Sequence, residues 1–297
     1  MELRQLNYFL KAKAFLNFTE AAKKLYISQS TLSQQIKQLE DELGVPLFNR
    51  VGKRVTLTEA GALFAVYAER SLLAARDGKV LMQDLEQLRT GTLKIGLTWG
   101  LKSILLTAFQ EFTVRFPLIT IEITFGTTEE LIQELLDQRI DFALTFYEEG
   151  EELLLEYQPI FQSDMALIVS ASSSLANLDN IELKDIESLQ LALPTKGFST
   201  RKFLDQVFLQ EGIVPDICVA INDTASLLEL VRTGLFQTLL TRATLHGTSG
   251  LKALPILGVN MKRQAVIIKL KDTYEKKAAI AFKQILIHLN KEAYECF

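Results

Sequence analysis

Two sets of residues in this sequence have the chemistry to recognise something. The first is Gln29, Ser30, Thr31, Ser33, Gln34 and Lys37, followed by the cations Arg50, Lys53 and Arg54. Gln and Ser side chains both donate and accept hydrogen bonds, and the base edges of a DNA major groove offer partners of both kinds. Cations grouped in a short hairpin suit phosphate oxygens. The second set is a recurring theme in the later chain: Thr98-Trp99-Gly100, Gly126-Thr127-Thr128, Thr145-Phe146, Phe198-Ser199-Thr200 and Asn222-Asp223-Thr224. Hydroxyls gathered at the free N–H groups of helix starts make a site for a small anion, and Lys196 or Arg201 could add charge. Taken singly, each Ser or Thr could equally be an ordinary helix cap.

Catalytic chemistry finds little support. His246 and His288 are the only histidines and are isolated, so no Ser-His-Asp set can be assembled. There is no phosphate-loop motif and no metal-ligand spacing. Cys218 and Cys296 stand far apart, against both a disulfide scaffold and a zinc site. The acidic stretch 148–152 reads as solvated surface. We therefore expect no enzyme activity, no catalytic residue, no metal and no cofactor beyond a small-molecule effector. Apolar content of 48% and charged content of 23% are ordinary for a globular chain. No signal segment and no apolar run of membrane length is present, so a cytoplasmic protein is expected. The net charge of −4 is unevenly spread: residues 1–60 carry nine Lys or Arg against six Asp or Glu, leaving −7 on the remainder. A basic head on an acidic body fits contact with DNA.

The elements that must position the first set lie between Phe18 and Leu57. Thr19 is placed to cap a short helix with Ala21, Ala22 and Leu25 on its apolar side, and the chain turns at Tyr26-Ile27. Ser28 caps a second helix that runs to Leu43 and stops at Gly44. On that helix Leu32, Ile36, Leu39 and Leu43 form one apolar stripe, and the polar set faces the other way. Glu40, Asp41 and Glu42 read as solvated charges at its far end. After Pro46, a hairpin with Gly52 in the turn carries the three cations. Helix, turn, polar helix and basic wing make a winged helix-turn-helix.

These residues resemble the N-terminal domain of the LysR-type transcriptional regulators. The likeness is carried by Phe18-Thr19-x-Ala21-Ala22, Leu25, Ser28-Gln29-Ser30, Leu32-Ser33, Ile36, Leu39-Glu40, Leu43-Gly44, Leu47-Phe48, Arg50 and Leu57-Thr58-x-x-Gly61. Ser30 stands where that family often has proline, and Gln34 where it often has arginine. The runs 193–201 and 95–98 resemble the branch containing the cyanate-operon regulator.

Behind the head, Leu3, Leu6, Phe9, Leu10 and Ala14 predict a first amphipathic helix. Thr58 caps a long helix reaching about Arg89, roughly 45 Å at 1.5 Å per residue. Its apolar face is too long for a small head to bury, so a partner helix from a second subunit is expected. From Gly91 the pattern alternates strand and helix, predicting a two-lobed α/β body. The resemblance implies an α/β multidomain protein: a winged helix-turn-helix over 1–58, a linker and dimerisation helix over 59–89, and a periplasmic-binding-protein-like effector domain over 90–297. Lobe I would be about 92–162 with 266–297, and lobe II about 163–265. It further implies a homo-oligomer, a dimer or dimer of dimers, on double-stranded promoter DNA. A small organic acid or inorganic anion would be the effector, and RNA polymerase a further partner.

Overall fold

The computed structural model describes residues 1–51, 54–86, 91–147, 154–245 and 248–294. Gly52, Lys53, Thr90, the acidic run 148–152, His246 and Cys296 lie outside them. The chain divides into two compact units, Met1–Glu86 and Gln87–Phe297.

The first unit comprises helices α1 (Leu3–Phe15), α2 (Phe18–Lys24) and α3 (Gln29–Leu43), strands β1 (Phe48–Val51) and β2 (Arg54–Leu57), and helix α4 (Glu59–Glu86). Its core joins Leu6, Phe9 and Ala12 of α1 to Phe18, Ala21 and Ala22 of α2. Leu32, Ile36 and Leu39 of α3 close it with Leu47, Phe48, Ala65 and Ala68. The Phe48 ring sits 5.5 Å from Phe9 and 5.4 Å from Phe18, edge-on to the latter, a favoured arrangement for ring pairs. Ser28 caps α3 through the Thr31 N–H, and Gly44 ends it in the left-handed region. The cap of α2 is Asn17 rather than Thr19: its Oδ1 accepts from the Thr19 and Glu20 N–H groups at 2.9 and 3.2 Å. Glu40 is likewise not a free surface charge. Its carboxylate accepts from the Leu47 and Phe48 N–H groups at 2.8 and 3.1 Å, and so anchors the start of the hairpin. In the hairpin β1 pairs antiparallel with β2, from Phe48↔Leu57 to Val51↔Arg54.

The second unit continues with β3 (Gly91–Leu97), α5 (Lys102–Arg115), β4 (Ile119–Phe125), α6 (Thr128–Leu136), β5 (Phe142–Phe146) and β6 (Leu155–Ser170). Then come β7 (Ile181–Glu182), β8 (Gln190–Pro194), α7 (Ser199–Glu211), β9 (Asp216–Ile221), α8 (Thr224–Arg232), β10 (Thr238–Thr241), β11 (Leu251–Leu257), β12 (Lys262–Leu270) and α9 (Lys277–Tyr294). An eight-stranded sheet in the order β4-β3-β5-β12-β6-β11-β7, with β10 also on β6, runs through both lobes. Strands β3, β4 and β5 are mutually parallel. The two strands common to both lobes are β6 and β12. They pair antiparallel from Leu155↔Leu270 to Asp164↔Lys262, and beyond Asp164 the partners of β6 become β10 and β11. This exchange of partners marks the crossover between lobes. Strands β8 and β9 form a separate parallel pair.

Both faces of β6 are buried beyond the crossover. Met165, Leu167 and Val169 enter one cluster, Ala166 and Ile168 another. Period-two alternation thus feeds two cores, which is why the run reads as continuously apolar. The lobe I core packs α5 and α9 on the sheet through Phe112, Phe142 and Phe282, with Phe282 5.2 Å from Phe112. The sequence reading missed the first half of β6 and all of β11. Each contains a proline, Pro159 or Pro255, which argues against a central strand. Pro159 is accommodated at an irregularity in register, where Ala265 pairs Phe161 and Val266 pairs Pro159.

Among the described residues, the Thr238 hydroxyl is buried without a hydrogen-bond partner. Replacing it with an apolar group of the same shape removes an unsatisfied group at no cost in volume. Thr238→Val is expected to raise stability by about 1 kcal/mol, seen as a higher thermal midpoint. A lower midpoint would show that the hydroxyl is satisfied by buried water.

Candidate functional site

On α3, one side supplies Leu32, Ile36 and Leu39 to the core, and the other leaves Gln29, Ser30, Thr31, Gln34 and Lys37 exposed with Ser33 half-buried. The exposed polar groups are already ordered. The Gln29 amide donates to the Ser33 hydroxyl at 2.8 Å, and the Ser28 hydroxyl lies 2.8 Å from those of Ser30 and Thr31. Groups held in this way can exchange an internal bond for a base-edge bond with little further ordering. Arg50 and Arg54 occupy facing strands of the hairpin; their side chains, and Lys53 altogether, lie outside what is described. Tyr26, which sequence reasoning treated only as turn, is 96% exposed at a positive φ of 57° between α2 and α3. An aromatic residue in a polar turn was its only signal.

In the second unit the C-terminal ends of β3, β4 and β5 face those of β8 and β9 across a cleft of about 390 Å³, counting its open mouth. Lobe I contributes Thr98, Trp99, Gly100, Thr127 and Phe146, and lobe II contributes Phe198, Ser199, Thr200 and Thr224. Gly126, Pro194 and Leu240 also line it, and the sequence reading had not placed Pro194 or Leu240 in the effector site. Clefts at the carboxyl ends of strands are where α/β folds hold ligands.

Four expectations need correcting. Thr128 and Thr145 are buried behind the cleft, their hydroxyls 2.7 Å apart and bonded to each other. Arg201 is buried and turned away, its Nε on Asp205 at 2.7 Å and its Nη1 on the Pro194 carbonyl at 3.1 Å. Lys196 is exposed and is not part of the lining. A buried cation placed beside the cleft is Arg263, only 3% exposed. Its guanidinium lies 4.9 Å from the Phe146 ring and 4.8 Å from that of Phe203, and donates to the Ser199 carbonyl at 3.2 Å. A lone arginine at the start of an apolar strand carried no signal of that placement.

The helix starts differ in what they can still accept. At α6, Thr127 and Glu130 form a reciprocal cap, the Glu130 carboxylate accepting from the Thr127 N–H at 2.8 Å and its hydroxyl at 3.0 Å. At α8, Asp223 caps the Ser226 N–H at 2.7 Å. Hydrogen bonds from the Ser226 side chain and backbone hold the Asp223 carboxyl below its usual range, so that end already carries a negative charge. The start of α7 is different: its cap residue is Phe198, whose side chain accepts nothing.

Contacts also cross between the lobes. The Trp99 ring of lobe I lies 4.8 Å from Phe198 of lobe II, and 6.0 Å from Phe125 of its own lobe. Lys202 of α7 pairs with Glu129 of α6. The Ser103 hydroxyl donates to the Ala243 carbonyl at 2.9 Å, and the Ala243 N–H to the Ser163 hydroxyl at 3.2 Å. Among the described residues, no group of His, Cys, Asp and Glu could hold a metal, and no helix is long and apolar enough to cross a membrane.

Comparison with known proteins agrees with both halves of this geometry. The family described as "Bacterial regulatory helix-turn-helix protein, lysR family" matches residues 3–62, and "LysR substrate binding domain" matches residues 86–290. A probable RuBisCO transcriptional regulator of Cyanidioschyzon merolae is 29% identical over 97% of this chain and 98% of its own length. The HTH-type transcriptional regulator BsdA of Bacillus subtilis is 32% identical over 81% of this chain and 83% of its own. The crystal structure of full-length CbnR complexed with its target DNA matches at a TM-score of 0.56 and 25% identity, over 97% of this chain and 99% of that one. A helix-turn-helix head with an exposed hydrogen-bonding face, an effector-binding body and matches over both mean that this chain belongs to the LysR family of transcriptional regulators and is not an enzyme.

Proposed function

We propose that the chain binds operator DNA sequence-specifically as a homo-oligomer, and that a small organic acid or inorganic anion held between the lobes controls that binding. Gln29, Ser30 and Ser33 approach base edges. Thr31, Gln34, Lys37, Arg50, Lys53 and Arg54 contact phosphate and sugar. We assign residues 1–58 to DNA binding, 59–89 to dimerisation and 90–297 to effector binding. Subunits pair through α4, and pairs of dimers meet through their effector domains. Edge strand β4, which leaves Ile123 and Phe125 exposed, is one surface that favours such a second contact. The protein works in the cytoplasm, beside its operator and RNA polymerase. Effector binding shifts the hinge at β6 and β12 and with it the separation of the heads and the bend of the DNA. The effector moves that equilibrium only by its differential affinity for the two states.

The observation that carries the DNA-binding half is the division of α3 into a fully buried apolar face and an exposed hydrogen-bonding one whose single charge is the cation Lys37. The wing supplies the test. Each phosphate contact contributes about 0.9 to the slope of log affinity against log salt. Arg50→Ala with Arg54→Ala should therefore make the slope shallower by about 1.8 per head, with base preference unchanged. An unaltered slope would remove the wing from the phosphate contacts. Footprinting upstream of the protein's own gene, with and without candidate anions, tests the effector half.

A further inference from the structure

We infer that the effector is a planar monocarboxylate, an aromatic or conjugated acid. Its carboxylate takes the open start of α7, and its flat body displaces the Trp99–Phe198 ring contact. The inference rests on reading the cleft as the effector site and deepens that reading.

The acid end follows from what each helix start already holds. Glu130 fills the start of α6 and Asp223 that of α8. A second carboxylate on the ligand would meet one of these like charges, of which that of Asp223 is partly offset by Lys102, and this favours a monoanion. The start of α7 has no side-chain cap, and its first residue supplies an independent sign of a missing partner. Ser199 is 7% exposed, lines the cleft, and its hydroxyl makes no hydrogen bond to any described residue. A carboxylate there meets free N–H groups, that hydroxyl and the field of the buried Arg263 guanidinium, which is bonded to the Ser199 carbonyl.

The body of the ligand follows from the rings. Phe125, Trp99 and Phe198 stand in succession, with interplanar angles of 32° and 37°. Ring faces carry negative charge density, so a bare inorganic anion is poorly placed against them, whereas a conjugated ligand replaces one ring stack by another. Phe198 is both the cap residue of α7 and the lobe II member of the stack. Recognition of the carboxylate and displacement of the ring contact are therefore one event. Since Trp99 belongs to lobe I, that event alters the contact between lobes. With the two rings in contact the enclosed part of the cleft has room for little more than a water molecule, so a ring enters only by parting Trp99 from Phe198.

Trp99 is the only tryptophan in the chain, so the fluorescence of the full-length protein reports on this contact directly. The probes are benzoate, cyclohexanecarboxylate (equal charge without a flat face), acetate (charge without a body) and phthalate (a second carboxylate). Benzoate should change the Trp99 emission saturably and bind about tenfold tighter than cyclohexanecarboxylate or phthalate. Phe198→Leu should lose about tenfold for benzoate and little for acetate, and Ser199→Ala should weaken both. If Phe198→Leu loosens α7, seen as a lowered thermal midpoint, Trp99→Leu read by calorimetry makes the same comparison. Equal binding of benzoate, cyclohexanecarboxylate and acetate would overturn the planar ligand and leave the anion cleft standing. Tighter binding of phthalate would overturn the monoanion. Failure of these acids and of nitrate and sulfate to bind at all would overturn both this inference and the effector reading beneath it.

Discussion

Gly61→Ala is expected to destabilise the head by about 1–2 kcal/mol or more and to weaken operator binding with it, although alanine is the better helix former. Gly61 lies in the first turn of α4, where its N–H donates to the Thr58 hydroxyl at 2.9 Å. A Cβ added there would stand 2.2 Å from the Leu47 carbonyl oxygen and 2.6 Å from a methyl of Leu57. The methyl can move, but the carbonyl cannot do so cheaply. It accepts the Thr58 N–H at 3.0 Å, and the Leu47 and Phe48 N–H groups on either side are fixed by Glu40. The opposing effects differ in size. Alanine gains about 1 kcal/mol of helix propensity over glycine, whereas forcing extra volume into a close-packed site costs about 1–3 kcal/mol and more where backbone must shift. The net loss falls on a unit whose core has few layers. Amide hydrogen exchange on the full chain would show it: protection should fall at Phe9, Leu32 and Ile36 while that of Leu144 and Ile267 in the other unit persists. Unchanged protection at Ile36 would mean that α4 slides away from Leu47 without strain, and would refute the steric account.

The same region shows what a single sequence can and cannot disclose. The stripe Leu32, Ile36, Leu39 on α3 was legible because helical periodicity and burial are one fact seen twice. The caps at Ser28 and Thr58 were legible because each hydroxyl bonds within its own turn. Glu40 was not, since its partners Leu47 and Phe48 are brought to it by the turn at Gly44 rather than by helical spacing. In the body, strand ends carrying hydroxyls could be read in order, which placed Thr98, Thr127, Ser199, Thr200 and Thr224 among the candidates now found lining one cleft. Sequence order does not say which way a side chain points. Thr128 and Thr145 turn inward and satisfy each other, and Arg201 turns to Asp205. Arg263 enters beside the cleft from a strand far along the chain, where only the crossover of β12 could bring it.

Leu63→Glu combined with Tyr67→Glu is expected to yield a monomer and to weaken operator binding by about 10²- to 10⁴-fold, the advantage that two linked heads hold over one. Helix α4, at 28 residues, is about 42 Å long. At 100° per residue Gly61, Ala65, Ala68 and Leu72 fall on one side, and Ala65 and Ala68 are buried in the head core. Leu63, Val66, Tyr67 and Ala74 fall on the opposite side, where Leu63 is 64% and Tyr67 65% exposed in a single chain. A helix with apolar residues on two opposite sides, the second interrupted by Arg70, needs two partners, and α1 is only one of them. A second copy of α4 is the partner that symmetry supplies without any further protein. Two carboxylates placed on that face cost little in the monomer, because they stay in water, and much in a dimer, where like charges from both copies meet in a desolvated seam. Secondary structure and thermal midpoint of the body should therefore be retained while the sedimentation coefficient falls to that of one chain. A double variant that still sediments as a dimer would show that α4 is not the seam, and would leave the exposed β4 edge as the surface on which subunits first meet.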